Sequence, residues 1–373
     1  MKRNGQFENL TFLRALAIVM VLGIHSVAFL PNSFPKHFAL SFIIGGFFGV
    51  PIFFALSGFL IARPFFKDYQ AGEKVSIKAY IAKRAAKIIP PFFLSLCLAS
   101  AIQIHAQPEG WAATLSQALK IFLFLHPFLV VFTKLDGNVY WSLAPEVYYY
   151  ILFPLFFLLS QSKGLFKNRL GLCLPSALLL LISLLCFAGS LGSGAYPLEL
   201  GTYFVFFSIG SFAALTSTYW PSLMAPLRRF DGIAFVALFA AAFYFGWYSS
   251  VKIPVSGIRF YALRWIAAAA LFPLLLPATE QQTSWLNYLG RLRLVRMTAM
   301  ISYEWYLFHI PIVLYFHSGL DVTNGNLLEF LYKCVLPIPL SWCLAFLIHR
   351  YYSLPLHASI VKHFSQERHG AAL

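Results

Sequence analysis

Charge is scarce in this chain. Only 11% of its 373 residues are charged, where a soluble domain carries about a quarter. Acidic residues are the scarcest, 13 Asp and Glu against 28 Lys and Arg. Hydrophobic residues make up 60%, with 40 Phe and a mean hydropathy of +0.73. A composition this short of charge excludes a soluble globular enzyme, a disordered chain and a fibrous repeat. Cysteine is sparse too: Cys97, Cys173, Cys186, Cys334 and Cys343 all lie inside apolar runs. That placement suits small apolar filler and gives neither a disulfide framework nor a metal-binding spacing. The sequence has no Walker motif, no GxGxxG ahead of a helix, no HExxH and no GxSxG. The alternating ten-residue segments of a membrane β-barrel are absent as well.

Long, continuous apolar runs are what the chain does have. Ten are long enough to cross a bilayer at about 20 residues each. They lie near 10–30, 39–62, 88–105, 143–160, 171–190, 200–219, 231–250, 260–278, 297–317 and 327–349. An eleventh, 118–133, is short and carries Lys120, His126 and Pro127, which suits a re-entrant or interfacial segment. The expected fold is therefore all-α: a polytopic integral membrane protein of about ten transmembrane helices. No repeat, linker or long polar insertion divides it, so residues 1–373 are expected to form a single membrane-embedded domain without an appended soluble one. Lys2 and Arg3 precede a first run that already holds Arg14 and His25, so that run is expected to be a retained helix rather than a cleaved leader.

The net charge of +15 sits in short loops, a distribution that points to the bilayer and not to nucleic acid. With the N-terminus inside, 20 Lys and Arg fall in cytoplasmic segments and five on the opposite side: Lys36, Lys120, Lys134, Lys252 and Arg259. Both termini, and the loops at 63–87 and 279–296, are therefore expected to be cytoplasmic in a multi-pass protein of the cell membrane.

Four segments carry chemistry. In LTFLRALAIVMVLGIHSVAFL, Arg14 and His25 are eleven residues apart, which returns them to one helical stripe about 16 Å apart along the axis. Each ionisable group costs about 3 kcal/mol in a span. Two readings stand: an arginine that snorkels beside a satisfied core imidazole, or a polar path through the protein. The basic loop ends in SIKAYIAKRAAKIIPP, where Lys83, Arg84 and Lys87 share one helical face before a Pro-Pro break. That face suits anionic lipid, or the phosphates of a cytosolic ligand. In YWSLAPEVYYYILFPLFF, Glu146 opens an aromatic span beside Trp141, Tyr149 and Tyr150. A carboxylate there needs a proton, a cation or hydroxyl donors, although a glutamate behind Pro145 also suits a helix N-terminus. In ISYEWYLFHIPI, Glu304, Tyr306 and His309 share one span, with Glu304 and His309 on different faces. Structural contacts between helices account for this segment as well as catalysis does. Ser57–Gly58 in FFALSGFLI reads as close helix packing.

In order along the chain, LTFLRALAIVMVLGIH, FFGVPIFFALSGFLI, KRAAKIIPP, WSLAPEVYYYILFP and SYEWYLFHIPI resemble the acyltransferase-3 family of polytopic membrane O-acyltransferases. The chain departs from the usual pattern in having Lys87 where a second arginine is common, RYYSLPL where an acidic residue often precedes the proline, and Glu304 where small hydroxyl residues are usual. It stops soon after its tenth span, so the resemblance is to the stand-alone type. The resemblance implies transfer of an acyl group, commonly acetyl, from cytosolic acyl-CoA to a hydroxyl of a glycan or related acceptor. Acetyl-CoA is then a co-substrate, and no tightly bound cofactor or metal is expected. It casts Arg14, Arg84 and Lys87 as acyl-CoA-binding cations and His25 as the base, with Glu146 as its carboxylate partner. Trp141, Tyr149, Tyr150, Tyr306 and His309 would support the site. Direct transfer and an acyl-histidine intermediate both fit. The rival readings are a secondary transporter or flippase, which also uses intramembrane charge, and a structural membrane partner.

Overall fold

The computed structural model describes residues 7–28, 41, 43–73, 75–125, 139–162, 171–193, 196–250, 257–276, 284–318 and 327–370. Its principal helices are α1 (Glu8–Ala28), α2 (Gly49–Gln70), α3 (Ile77–Ala106), α4 (Trp111–Phe122), α5 (Leu143–Ser162), α6 (Leu174–Ser193), α7 (Phe204–Tyr219), α8 (Asp231–Ser250), α9 (Gly257–Leu275), α10 (Trp285–Arg291), α11 (Arg293–Met300), α12 (Ser302–Ser318), α13 (Pro337–Ile348) and α14 (Leu354–Gly370). No strand occurs among the described residues. Eight helical stretches there are long and apolar enough to cross a membrane, because only a helix satisfies its own backbone in lipid. The chain is a polytopic all-α membrane protein.

Three stretches differ from the expected spans. The Pro90–Pro91 pair does not end its helix: α3 runs through both prolines for 30 residues. Carbonyls around the pair are met from outside, Ile88 by the Tyr303 hydroxyl at 3.2 Å and Pro90 by the Tyr352 hydroxyl at 3.4 Å, which is how a membrane helix tolerates proline. The expected span 297–317 divides at a bend at Ile301, between α11 and α12. The last span carries π-helical turns at Leu331–Val335 and His349–Ser353 before α14. In the short apolar segment expected at 118–133, the described part closes α4 at Phe122, and residues 126–133 lie outside the described residues, as do Lys36, Lys134 and Lys252.

The chain groups into two compact units, Met1–Glu73 with Pro145–Met300, and Lys74–Ala144 with Ile301–Leu373. In the first, α2 packs along α7 through a pair of glycines. A Cβ on Gly58 would stand 2.4 Å from the Phe207 carbonyl oxygen, and one on Gly210 would stand 2.0 Å from that of Ala55. Backbones approach this closely only where side chains are absent. Aromatic rings fill the space on either side: Phe54 and Tyr149 stack on Phe207 at 4.7 and 4.6 Å, and Phe65 meets Phe153 and Phe157 at 5.5 and 5.3 Å. The open carbonyls after α9 are also satisfied. The Asn9 amide donates to Leu274 (2.8 Å) and Leu276 (3.1 Å), and Arg228 reaches Leu276 as well.

The second unit is tied by hydroxyls. Ser95 on α3 shares a hydrogen bond with the Tyr140 hydroxyl (2.9 Å) and donates to the Leu307 carbonyl (3.1 Å). Trp305 Nε1 donates to Ser341 (2.8 Å), linking α12 to α13. Among its described residues Lys333 pairs with Glu329 at 3.0 Å and His349 with Glu304 at 2.9 Å. The five cysteines are free thiols.

Candidate active site

α1 is unbroken from Glu8 to Ala28, so Arg14 and His25 do share one helix, three turns apart. α1 crosses the start of α2 at glycines. Cβ atoms on Gly46 and Gly49 would fall 2.1 and 2.4 Å from the Met20 and Ala17 carbonyls. His25 is half-buried, and its ring bonds the Val21 carbonyl one turn back. In the neutral imidazole, the ring nitrogen that bonds this carbonyl is the donor.

At the N-terminal end of α1 lies a cavity of about 400 Å³, within the size range of small-molecule sites. Its walls include Phe7, Leu10, Leu60 and Met297, and two guanidinium side chains, Arg14 and Arg296, reach it. Arg63 stacks over the Phe7 ring at 4.5 Å. Apolar walls with two cations can hold an anionic group carried on an organic body.

Glu146, in the first turn of α5, is half-buried. Its Oε1 accepts from Ser57 (2.6 Å) and from the Tyr150 hydroxyl one turn on. Tyr149, fully buried, donates to the Gly58 carbonyl at 3.0 Å. Successive residues of α2 are thus bound by side chains of α5. The close packing expected at Ser57–Gly58 holds for the glycine, while the serine is also a donor to the carboxylate. That bond spans 89 positions, and no local pattern marks it.

Arg14, His25, Glu146, Tyr149 and Tyr150 belong to the first unit. Arg84, Lys87, Trp141, Tyr306 and His309 belong to the second. On α3, Lys87 is exposed and Arg84 half-buried, the Arg84 guanidinium 5.8 Å from the Tyr80 ring. Arg84 Nε is buried with no hydrogen-bond partner among the described residues. Trp141 is half-buried in the short turn Tyr140–Ser142. The Tyr306 hydroxyl shares a 2.6 Å bond with Ser142, and both hydroxyls reach the Val139 carbonyl. His309 is fully buried, with Nδ1 against the Tyr306 and Trp305 carbonyls at 2.8 and 3.1 Å. Glu304 and His309 do take different partners, His349 and backbone respectively.

Two further arginines escape motif reading. Arg296 is one. The other, Arg264, is 2% exposed within α9, bonded to Thr202 and to the Tyr203 hydroxyl (3.0 Å) and 3.9 Å from Glu199. A charge within a span was the available signal for Arg264. Among the described residues, no three of His, Cys, Asp or Glu gather where a metal could bind.

Comparison with known proteins follows the same line. Peptidoglycan O-acetyltransferase OatA of Listeria monocytogenes is 24% identical over 365 residues, 92% of this chain and 54% of that protein. The putative peptidoglycan O-acetyltransferase YrhL of Bacillus subtilis is 22% identical over 378 residues, 95% of this chain and 55% of that protein. O-acetyltransferase OatA of Staphylococcus aureus is 27% identical over 138 residues, 34% of this chain and 23% of its own. The chain spans about half the length, or less, of these relatives. No solved structure matches it. The family profile described as an acyltransferase domain matches residues 7–346, and the chain belongs to the acyltransferase-3 family.

Proposed function

We propose that this protein is a membrane O-acetyltransferase that carries acetyl from cytosolic acetyl-CoA to a hydroxyl of a peptidoglycan glycan. The observation that carries the reading is the match over residues 7–346, together with relatives named for peptidoglycan O-acetylation. Arg14, Arg84 and Lys87 supply cations for the phosphates of CoA through charge-assisted bonds. Arg84, with its buried and unbonded Nε, is well disposed to this. His25 takes the proton of the acceptor hydroxyl as its oxygen attacks the thioester carbonyl. The C–S bond breaks, an ester forms, and the proton passes from His25 to the departing CoA thiolate. Glu146, held by Ser57 and Tyr150, is the carboxylate that offsets the imidazolium. Tyr149 fixes α5 to α2, while Trp141, Tyr306 and His309 support the surrounding helices. Both termini face the cytoplasm.

Purified protein in proteoliposomes, given acetyl-CoA and peptidoglycan oligosaccharides, tests the reading. Acceptor-dependent release of CoA is expected. Hydrolysis or release indifferent to every glycan offered would contradict the acceptor class, and no release at all would contradict the donor.

A further inference from the structure

Arg296 belongs to none of the motifs described above, yet it faces the same cavity as Arg14. It stands on α11, and its Nη2 lies 3.2 and 3.5 Å from the two oxygens of Glu8, while its Nε faces the Gly290 carbonyl at 3.4 Å. Glu8 begins α1 and also lies 4.0 Å from Arg291. One guanidinium nitrogen is shared between the two carboxylate oxygens, a charge-assisted contact that phosphate oxygens can also accept. The pair is not sealed, with side-chain exposures of 29% for Arg296 and 19% for Glu8. Glu8 keeps favourable surroundings without Arg296, because it lies in the first turn of α1, where the helix dipole favours a negative charge. Exchange of Glu8 for another anion would therefore leave neither partner stranded. Apart from Thr11, the rest of the cavity is lined by apolar side chains such as Phe7, Leu10, Leu60 and Met297. This suits a phosphate ester with an organic body better than a free inorganic ion.

We propose that Arg14 and Arg296 form one phosphate-ester site, and that Glu8 occupies Arg296 in the empty protein as an internal anion which the ligand displaces. An acyl donor of the CoA type and an anionic lipid headgroup share this chemistry. The donor case rests on the acyl-CoA reading above.

The experiment uses the full chain in phosphatidylcholine nanodiscs, with coenzyme A as the calorimetric probe and phosphatidylglycerol as the lipid probe, counted by native mass spectrometry. R296A should weaken binding of one probe at least tenfold, and R296K should fall between it and wild type because lysine lacks the fork. E8Q, which keeps the shape of the side chain, should tighten the same probe about threefold to tenfold, and it serves if R296A fails to fold. A response with coenzyme A assigns the site to the donor, and a response with phosphatidylglycerol alone assigns it to lipid. Affinities for both probes unchanged in R296A and E8Q would overturn the site, whether or not the protein transfers acetyl. Binding of coenzyme A that obeys these variants without any acetyl transfer would instead overturn the enzymatic reading and leave the site standing.

Discussion

His25 is the residue on which the proposed chemistry turns. Its ring is anchored to the Val21 carbonyl. His25→Ala and His25→Gln should each lower turnover by about 10²–10⁴-fold, with insertion and coenzyme A binding retained. A base must be neutral to accept a proton. Turnover should therefore be low at acid pH, rise as the imidazolium loses its proton, and level off above that pH. Near-normal kcat/KM in His25→Gln would remove His25 from this role. The donor cations make a separate prediction. Arg14→Ala and Arg84→Ala should each cost about 1.5–3 kcal/mol in kcat/KM for acetyl-CoA, whereas Lys87→Arg should be tolerated. Donor kinetics unchanged in both alanine variants would show that the phosphates bind elsewhere. At this scale the sequence displayed Arg14, His25 and Glu146 openly, because charge inside an apolar run stands out. It hid Ser57 and Arg296, whose partners lie 89 and 288 positions away. Such contacts exist only after the helices pack.

Among the elements, the crossing of α2 and α7 is the most demanding. Gly210→Ala would push a methyl to within about 2.0 Å of the Ala55 carbonyl oxygen, a backbone atom that yields only if the helices part. A loss of about 1–3 kcal/mol is expected, seen as a lower Tm in detergent. Gly232→Ala, where nothing lies within 4 Å, should leave Tm level or slightly raised, since alanine is the better helix former. Equal Tm values for the two variants would contradict the close crossing. Helix positions were legible from hydropathy: the expected 171–190 and 200–219 correspond to Gly171–Ser190 and Leu198–Tyr219. Helix continuity was less so. Pro90–Pro91 reads locally as a break, but tyrosines distant in sequence meet carbonyls around the pair. The bend at Ile301 falls inside an apolar run and carries no proline or glycine at that position.

For the whole molecule, orientation decides which end of α1 meets the donor. The 20-to-5 bias of Lys and Arg predicts that a reporter or labelled cysteine at residue 75 is reached only from the cytoplasm. Labelling from outside intact cells would invert the scheme and place Arg14 on the wrong side for acyl-CoA. The transfer itself is tested most directly with ¹³C-acetyl-CoA and a defined peptidoglycan oligosaccharide, using wild-type and His25→Gln protein in proteoliposomes and mass spectrometry of the glycan. Wild type should give a labelled O-acetyl ester, lost on mild base, and His25→Gln should give at most about a hundredth of it. Equal label on the glycan from both proteins, or none from the wild type with coenzyme A bound, would contradict acetyl transfer through His25.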